Sequence, residues 1–127
     1  MKAFLAILPI AVLAAGPVRA DCSYPPPPDK LPDGNTATLQ EMVAAQKTVK
    51  DYDKAINAYL ACIQLEKDAA ASKAGDKPTP EQKKALDDMS RVEIQKHNAA
   101  VDQDQSVAAR FNEQVKAFKA KNDKSKG

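Results

Sequence analysis

Apolar positions recur every seven residues through the middle of the chain, which is the spacing of a coiled-coil seam. This first stripe comprises Met42, Ala45, Val49, Tyr52, Ile56, Tyr59, Ile63 and Ala70. The sequence Thr38-Leu39-Gln40-Glu41 has the pattern of a capping box, and Gly75 is a typical helix stop. Together these signals predict a helix over about residues 39–74.

A second apolar stripe follows another capping box, Thr79-Pro80-Glu81-Gln82, in which Pro80 takes the first helical position. The sequence predicts a helix over about 80–121 that contains no further Gly or Pro. Its expected seam comprises Leu86, Met89, Ile94, Val101, Ala108, Phe111, Val115 and Phe118, with the polar residues His97 and Asp104 in the same stripe. A short loop between two long helices favours an all-α fold, a long antiparallel two-helix hairpin that is coiled-coil-like. Folding back near residue 76 is expected to bring Ile63 near Met89 and Met42 near Phe111.

The hairpin is predicted over residues 38–121, and the segments before and after it differ from it in composition. In residues 21–37, Tyr24 precedes four consecutive prolines, and each Pro fixes φ and lacks an N–H donor. This favours an extended proline-rich leader. The last residues, 122–127, are expected to form a short basic tail.

Residues 1–20 have the pattern of a signal peptide: Lys2, then a short apolar run, then Val18-Arg19-Ala20 before Asp21. The apolar run is too short to span a bilayer, so we expect no transmembrane segment in the mature form. The predicted location is periplasmic or secreted, where thiols oxidise.

Cys22 and Cys62 are the two cysteines of the chain. An exported pair favours one intramolecular disulfide, with an intermolecular bond and free thiols as the alternatives. Because Cys62 would lie about 35 Å along its helix from Thr38, an intramolecular bond requires the leader to run back along the hairpin. Tyr24 and Leu31 are then expected to lie against the helices.

Charge and composition exclude several functions. Removing residues 1–20 removes Lys2 and Arg19 and leaves 17 basic and 17 acidic side chains, whereas a nucleic-acid binder needs a basic face. Ser90 and His97 would lie about 10 Å apart along one helix, too far for a nucleophile and its base. Phosphate loops and paired-cysteine metal motifs are missing from the sequence. We therefore expect no enzyme activity, no cofactor and no catalytic residue.

Four polar residues are candidates for a binding surface or for a polar layer inside the seam: Tyr52, Tyr59, His97 and Asp104. A polar layer fixes the register of two helices and is the favoured interpretation. The alternative is a metal site in which His97, Glu93 and Asp104 are joined by Asp51 or Asp53 from the first helix.

Two stretches carry a resemblance. They are Pro32-Asp33-Gly34…Ala37-Thr38…Glu41-Met42…Ala45-Gln46…Val49-Lys50-Asp51-Tyr52…Tyr59-Leu60-Ala61-Cys62-Ile63 and His97-Asn98-Ala99-Ala100-Val101…Val107-Ala108-Ala109-Arg110-Phe111-Asn112-Glu113-Gln114. With these the chain resembles an uncharacterised family of small exported, signal-peptide-bearing proteobacterial helical proteins. The resemblance implies a cell-envelope origin and an extended helical shape, and it brings no activity or cofactor. Its polar residues, which include Asn98, Arg110 and Asn112, are where a binding surface would be sought.

The sequence thus predicts an exported cell-envelope protein that acts by binding a protein partner, in a chaperone-like or adaptor-like role. The alternatives are a structural envelope component tethered by the basic tail, and a small disulfide-tied inhibitor. Several apolar residues do not fit one two-helix seam, so a homodimer or four-helix assembly also remains open. These are Leu39, Val43, Leu60, Leu65 and Val92.

Overall fold

The computed structural model describes residues 22–127, so the predicted signal peptide over 1–20 lies outside the described residues. Two helices follow in order, α1 (Leu39–Ala74) and α2 (Pro80–Lys124), and they pack against each other. The described part of the chain contains no strand. The predicted all-α two-helix hairpin is therefore confirmed.

Each helix begins at the capping box that its sequence predicts. The Thr38 N–H donates to Glu41 Oε2 at 2.7 Å, and the Glu41 N–H donates to Thr38 Oγ1 at 3.2 Å. Thr79 and Gln82 make the same reciprocal pair at the start of α2, at 2.8 and 3.2 Å. These bonds satisfy amides that have no partner within the helix. At its other end, α2 continues to Lys124, three residues beyond the predicted end.

The predicted seam of α1 is confirmed. The buried residues of this helix are Met42, Ala45, Tyr52, Ile56, Tyr59 and Ile63, all of which belong to the seven-residue pattern. Ile56 is only 2% exposed and lies in one cluster with Ala100 and Val107 of α2. The regular spacing of large apolar side chains therefore identifies the face of α1 that meets α2.

The predicted seam of α2 is wrong in part. Phe111 is buried as expected, but Met89 is 37% exposed and Ile94 is 55% exposed, and the other fully buried positions are Ala100 and Val107. Ala100 and Val107 are seven residues apart and present small side chains, which let the two backbones approach closely. The predicted stripe held Val101 and Ala108 at this point, so the buried positions lie one residue earlier than predicted.

The leader, residues 22–37, runs back along the hairpin as predicted. Cys22 is bonded to Cys62, with 5.7 Å between their Cα atoms. The Tyr24 ring meets the Tyr59 ring edge-on, with the centroids 5.1 Å apart, and Leu31 packs against the cluster formed by Met42 and Phe111 with their neighbours. The leader is thus a third packed element.

A turn over residues 33–37 joins the leader to the end of the hairpin opposite its loop, which we call the base. Asp33 accepts from the Ala37 N–H at 2.8 Å through its carbonyl and from the Asn35 N–H at 2.9 Å through its carboxylate. The Gly34 N–H donates to Gln114 Oε1 of α2 at 2.9 Å. Lys121 Nζ donates to the Ala37 carbonyl at 2.8 Å. The C-terminal part of α2 therefore holds the turn that leads into α1.

Candidate functional groove

Two adjoining cavities lie between the helices on the part of the hairpin that leads to its loop. The first has a volume of about 300 Å³, the second one of about 380 Å³, and Met89 lines both. We call them together the distal groove. Its walls are Ile63, Glu66, Lys67, Ala70, Lys73 and Ala74 from α1, and Gln82, Ala85, Leu86, Asp88, Met89, Val92, Glu93 and Lys96 from α2.

The distal groove begins beside Cys22, the first residue of the leader that the structure describes. Glu66 lines the groove, and its carboxylate lies within 4.8 Å of the sulfur atoms of Cys22 and Cys62. The proline-rich leader thus covers the hairpin from Cys62 down to its base. Beyond Cys62, the described residues place no third element over the helices.

The floor of the groove is apolar and partly exposed. Ile63 is 3% exposed and closes the bottom, while Met89 and Val92 are 37% and 48% exposed. Exposed apolar side chains within a concave site are the common feature of surfaces that bind other molecules. The floor is therefore suited to apolar side chains of a ligand.

The rim of the groove carries charges of both signs. Lys67 Nζ and Glu93 Oε2 form an ion pair across the helices at 3.2 Å, with the Glu93 side chain only 11% exposed. Asp88 is bound by Lys84 and Arg91. The hydrogen bond from Lys84, followed by the one from Arg91, holds the pKa of Asp88 below its usual value. Fixed charges beside an apolar floor favour a ligand with interspersed polar groups, such as a polypeptide.

The groove does not carry the chemistry of a hydrolase. The residues that line its two cavities include no Ser, Cys or His, so a nucleophile with an adjacent imidazole base is not assembled there. What this arrangement offers is recognition by shape, apolar contact and charge.

Both tyrosines among the predicted site residues lie in the core instead of on a surface. Tyr52 and Tyr59 are 5% and 7% exposed and belong to the cluster around Ile56. The Tyr52 hydroxyl is buried and has no hydrogen-bond partner. Burial is the main cause that raises the pKa of Tyr52 to about 12, with a further contribution from the nearby Tyr24 side chain, which lies outside hydrogen-bonding geometry.

Asp104 is half-buried at the interface and faces Asp53 of α1. Burial, and then the charge of Asp53, raise the pKa of the Asp104 carboxyl. Asp104 also contributes to the raised pKa of Tyr52. Tyr52 and Asp104 thus lie close together at the interface, and Asp53 is exposed beside them.

His97 does not join Tyr52 and Asp104 at the interface, because its side chain is exposed on α2. The metal site considered from the sequence requires Asp104 to lie near Asp51 or Asp53, and Asp104 does face Asp53. Glu93 pairs with Lys67 instead, and within residues 22–127 these side chains form no group of three converging ligand atoms. Within residues 22–127, the group of possible ligand atoms that lie within 4.8 Å of one another is Cys22, Cys62 and Glu66, and its two sulfur atoms are joined as a disulfide. The sequence analysis did not name Glu66, although its position one helical turn after Cys62 places both side chains on the same face of α1.

The basic residues near the C-terminus are not all free for an outside ligand. Lys121 binds the Ala37 carbonyl, and its Nζ lies 5.1 Å from the centroid of the Phe118 ring. Lys116 pairs with Glu113 at 3.1 Å. Lys121 thus serves to hold the chain together at the base of the hairpin.

Neither α1 nor α2 has a stretch long and apolar enough to cross a membrane; this holds for residues 22–127. Comparison of the chain with protein-family models, with curated proteins and with solved structures finds no match. The resemblance to an exported proteobacterial family therefore stays a prediction.

Proposed function

We propose that this chain is an exported cell-envelope protein that binds extended, apolar segments of other polypeptides in the distal groove, in a chaperone-like or adaptor-like role. The observation that carries the proposal is the leader itself. An extended, proline-rich stretch already lies along the hairpin as far as Cys62, and the groove continues from that point. The hairpin surface thus accepts an extended polypeptide over part of its length.

Export is supported by the disulfide. Cys22 and Cys62 are bonded, and structural disulfides persist chiefly in oxidising compartments such as the bacterial periplasm and the extracellular space. The signal-peptide pattern over residues 1–20 agrees with this location. A client in that compartment would be a polypeptide that has not yet folded.

The composition of the groove supports a polypeptide client. Met89 and Val92 offer flexible and branched apolar surface, and Met side chains adapt to irregular partners. The Lys67–Glu93 pair and Lys96 provide donors and acceptors at the rim. Cavities of about 300 and 380 Å³ hold a few side chains, so we expect weak, exchangeable binding and not permanent assembly.

The test is a light-scattering assay in which the purified, oxidised mature protein slows the aggregation of an unfolded model client that carries no thiols, so that the Cys22–Cys62 bond stays intact. Val92→Asp places a charge in the groove and should abolish the protection. Ile94→Asp is the matched control, since Ile94 is exposed to a similar degree, 55% against 48%, and does not line the groove. Both variants add the same charge to the same helix.

Equal protection by the Val92→Asp variant and the unmodified chain would contradict the proposal. A second copy of the chain in the groove is the competing occupant, and sedimentation of both variants distinguishes it. In that case the unmodified chain would be a dimer, Val92→Asp would be a monomer, and neither would protect the client.

A further inference from the structure

We propose that the base of the hairpin binds the surface of a bilayer that contains anionic lipids. Exposed apolar side chains at the start of α1 and exposed lysines at the end of α2 meet at this end of the molecule. We call these residues the basal patch: Leu39, Val43, Lys119, Lys124 and Lys126. The inference concerns the end of the hairpin remote from the distal groove and does not depend on what that groove binds.

The apolar half of the basal patch lies on the first two turns of α1. Leu39 is 66% exposed and Val43 is 57% exposed. They are four residues apart and therefore share one face of the helix. Met42 is only 5% exposed, so the face that meets α2 is already occupied by another side chain. Neighbouring apolar side chains that stay exposed are typical of a surface that contacts a partner or a membrane.

Lysines make up the other half of the basal patch. Residues 115–127 carry five Lys and one acidic residue, Asp123. Lys116 and Lys121 are engaged within the chain. The other three, the lysines of the basal patch, are exposed, and within residues 22–127 their side chains form no ion pair. Their charges are therefore available to an outside ligand.

Closure of the hairpin brings the two halves of the basal patch to the same end. Lys121 Nζ donates to the Ala37 carbonyl at 2.8 Å, and Ala37 lies two residues before Leu39. The first turn of α1 thus lies beside the last turns of α2. Lys119 and Lys124 are within one turn of Lys121 on α2, so positive charge is placed next to the exposed apolar residues.

Charge complementarity selects an anionic lipid surface as the partner. Lysines are attracted to a layer of anionic headgroups within about a Debye length, while apolar side chains bury in the boundary between headgroups and acyl chains. The chain without residues 1–20 has 17 basic and 17 acidic side chains. Its net charge therefore supplies no general attraction, and the local excess of lysines at the base would orient the molecule on the membrane.

Binding through the base would direct the distal groove away from the lipid. Ile63, which lines the groove, lies 24 residues after Leu39 on α1. At about 1.5 Å per residue the two are separated by about 36 Å along the helix. A polypeptide client could then enter the groove without contacting the membrane.

The experiment is co-sedimentation of the purified, oxidised mature protein with vesicles of phosphatidylglycerol and phosphatidylcholine in equal parts. The protein should bind these vesicles and should not bind vesicles of phosphatidylcholine alone. Replacing Lys124 and Lys126 by Gln should weaken binding about fivefold for each lysine. The matched control replaces Lys77 and Lys83 by Gln, which removes the same charge from exposed positions at the loop end of the hairpin, and it should bind as the unmodified chain does.

A second pair of variants tests the apolar half. Leu39→Gln should weaken binding about tenfold, because burial of a Leu side chain contributes at least that much. Leu65→Gln is the matched control, since Leu65 lies on the same helix outside the basal patch and is 67% exposed against 66%. Melting temperatures from circular dichroism should agree within both pairs, because every replaced side chain is exposed.

Three results would each overturn the proposal. The first is equal binding to vesicles with and without phosphatidylglycerol. The second is an equal loss of binding in the two lysine variants, which would show a general effect of charge. The third is binding by Leu39→Gln that is as tight as binding by Leu65→Gln.

Discussion

Gly34 is a point of close approach between the leader and α2, and it provides a sharp test of leader docking. A Cβ atom built on Gly34 would lie 2.0 Å from the carbonyl oxygen of Gln114 and 2.8 Å from the backbone nitrogen of Phe118. Both are backbone atoms of one long helix and cannot move aside as a flexible side chain would. Gly34→Ala should therefore push the leader turn off α2.

The expected loss has two parts. Overpacking against a rigid neighbour costs about 1–3 kcal/mol. Displacing the turn also breaks the bond from the Gly34 N–H to Gln114 Oε1, which contributes about 1 kcal/mol. We therefore expect Gly34→Ala to lower the free energy of unfolding by about 2–4 kcal/mol.

Urea unfolding followed by circular dichroism gives the global stability, and amide hydrogen exchange over residues 22–37 reports on the leader. Gly75→Ala is the matched control. It destabilises by a different cause, because Gly75 has φ 72° and ψ −168°, a conformation restricted to Gly, while its added Cβ would meet nothing within 4 Å. The control should lose stability without faster exchange in the leader. Faster leader exchange in both variants, or in neither, would refute the docking geometry.

Three further predictions follow from the core and the disulfide. Replacing Cys22 and Cys62 by Ser should lower the free energy of unfolding by about 4 kcal/mol in the chain-entropy model, given the 40-residue separation of the pair; unchanged urea midpoints would contradict it. Tyr52→Phe should stabilise by about 1 kcal/mol, because it removes a buried hydroxyl that has no partner, and a loss of stability would show that the hydroxyl is bonded. Asp104→Asn should be more stable than the unmodified chain at neutral pH. Burial and Asp53 raise the pKa of Asp104 in the folded chain, so its contribution to stability is greatest at low pH and is lost as the pH rises through that pKa. The stability difference between the two chains should thus shrink on acidification, and a difference that does not depend on pH would refute the assignment.

The start of each helix could be predicted because the deciding signals are local. Thr38 with Glu41 and Thr79 with Gln82 each lie within one turn, and the structure contains both capping boxes. The α1 seam was predictable for a related reason, since its buried residues are regularly spaced and, apart from Ala45, large. The path of the leader followed from one long-range constraint, the distance that the Cys22–Cys62 bond has to span.

The α2 seam could not be derived in the same way. Ala100 and Val107 are completely buried, but small side chains stand out little from their surroundings in an alanine-rich helix. Ile94 is larger and therefore counts for more in a periodicity argument, but its side chain is exposed and lies outside the interface. Which face of α2 meets α1 depends on how closely the two backbones approach, and that is a property of the pair of helices.

The distal groove could not be derived from the sequence for the same reason. Its walls depend on which residues of α1 lie beside which residues of α2. Lys67 and Glu93 are 26 residues apart, and nothing local indicates that they pair. His97 was expected in the stripe because it lies seven residues before Asp104, yet only Asp104 turns toward α1. The contact of Gly34 with Gln114 spans 80 residues and likewise appears only once the hairpin has closed.

The most direct measurement for the central claim is an NMR titration of the ¹⁵N-labelled mature protein with an extended peptide that carries apolar side chains between charged ones. Binding in the distal groove predicts amide shift changes confined to the stretches around Ile63–Ala74 and Gln82–Lys96, with the base of the hairpin near Gly34 and Gln114 unaffected. Changes confined to the base, or none at peptide concentrations that saturate weak binders, would contradict the account.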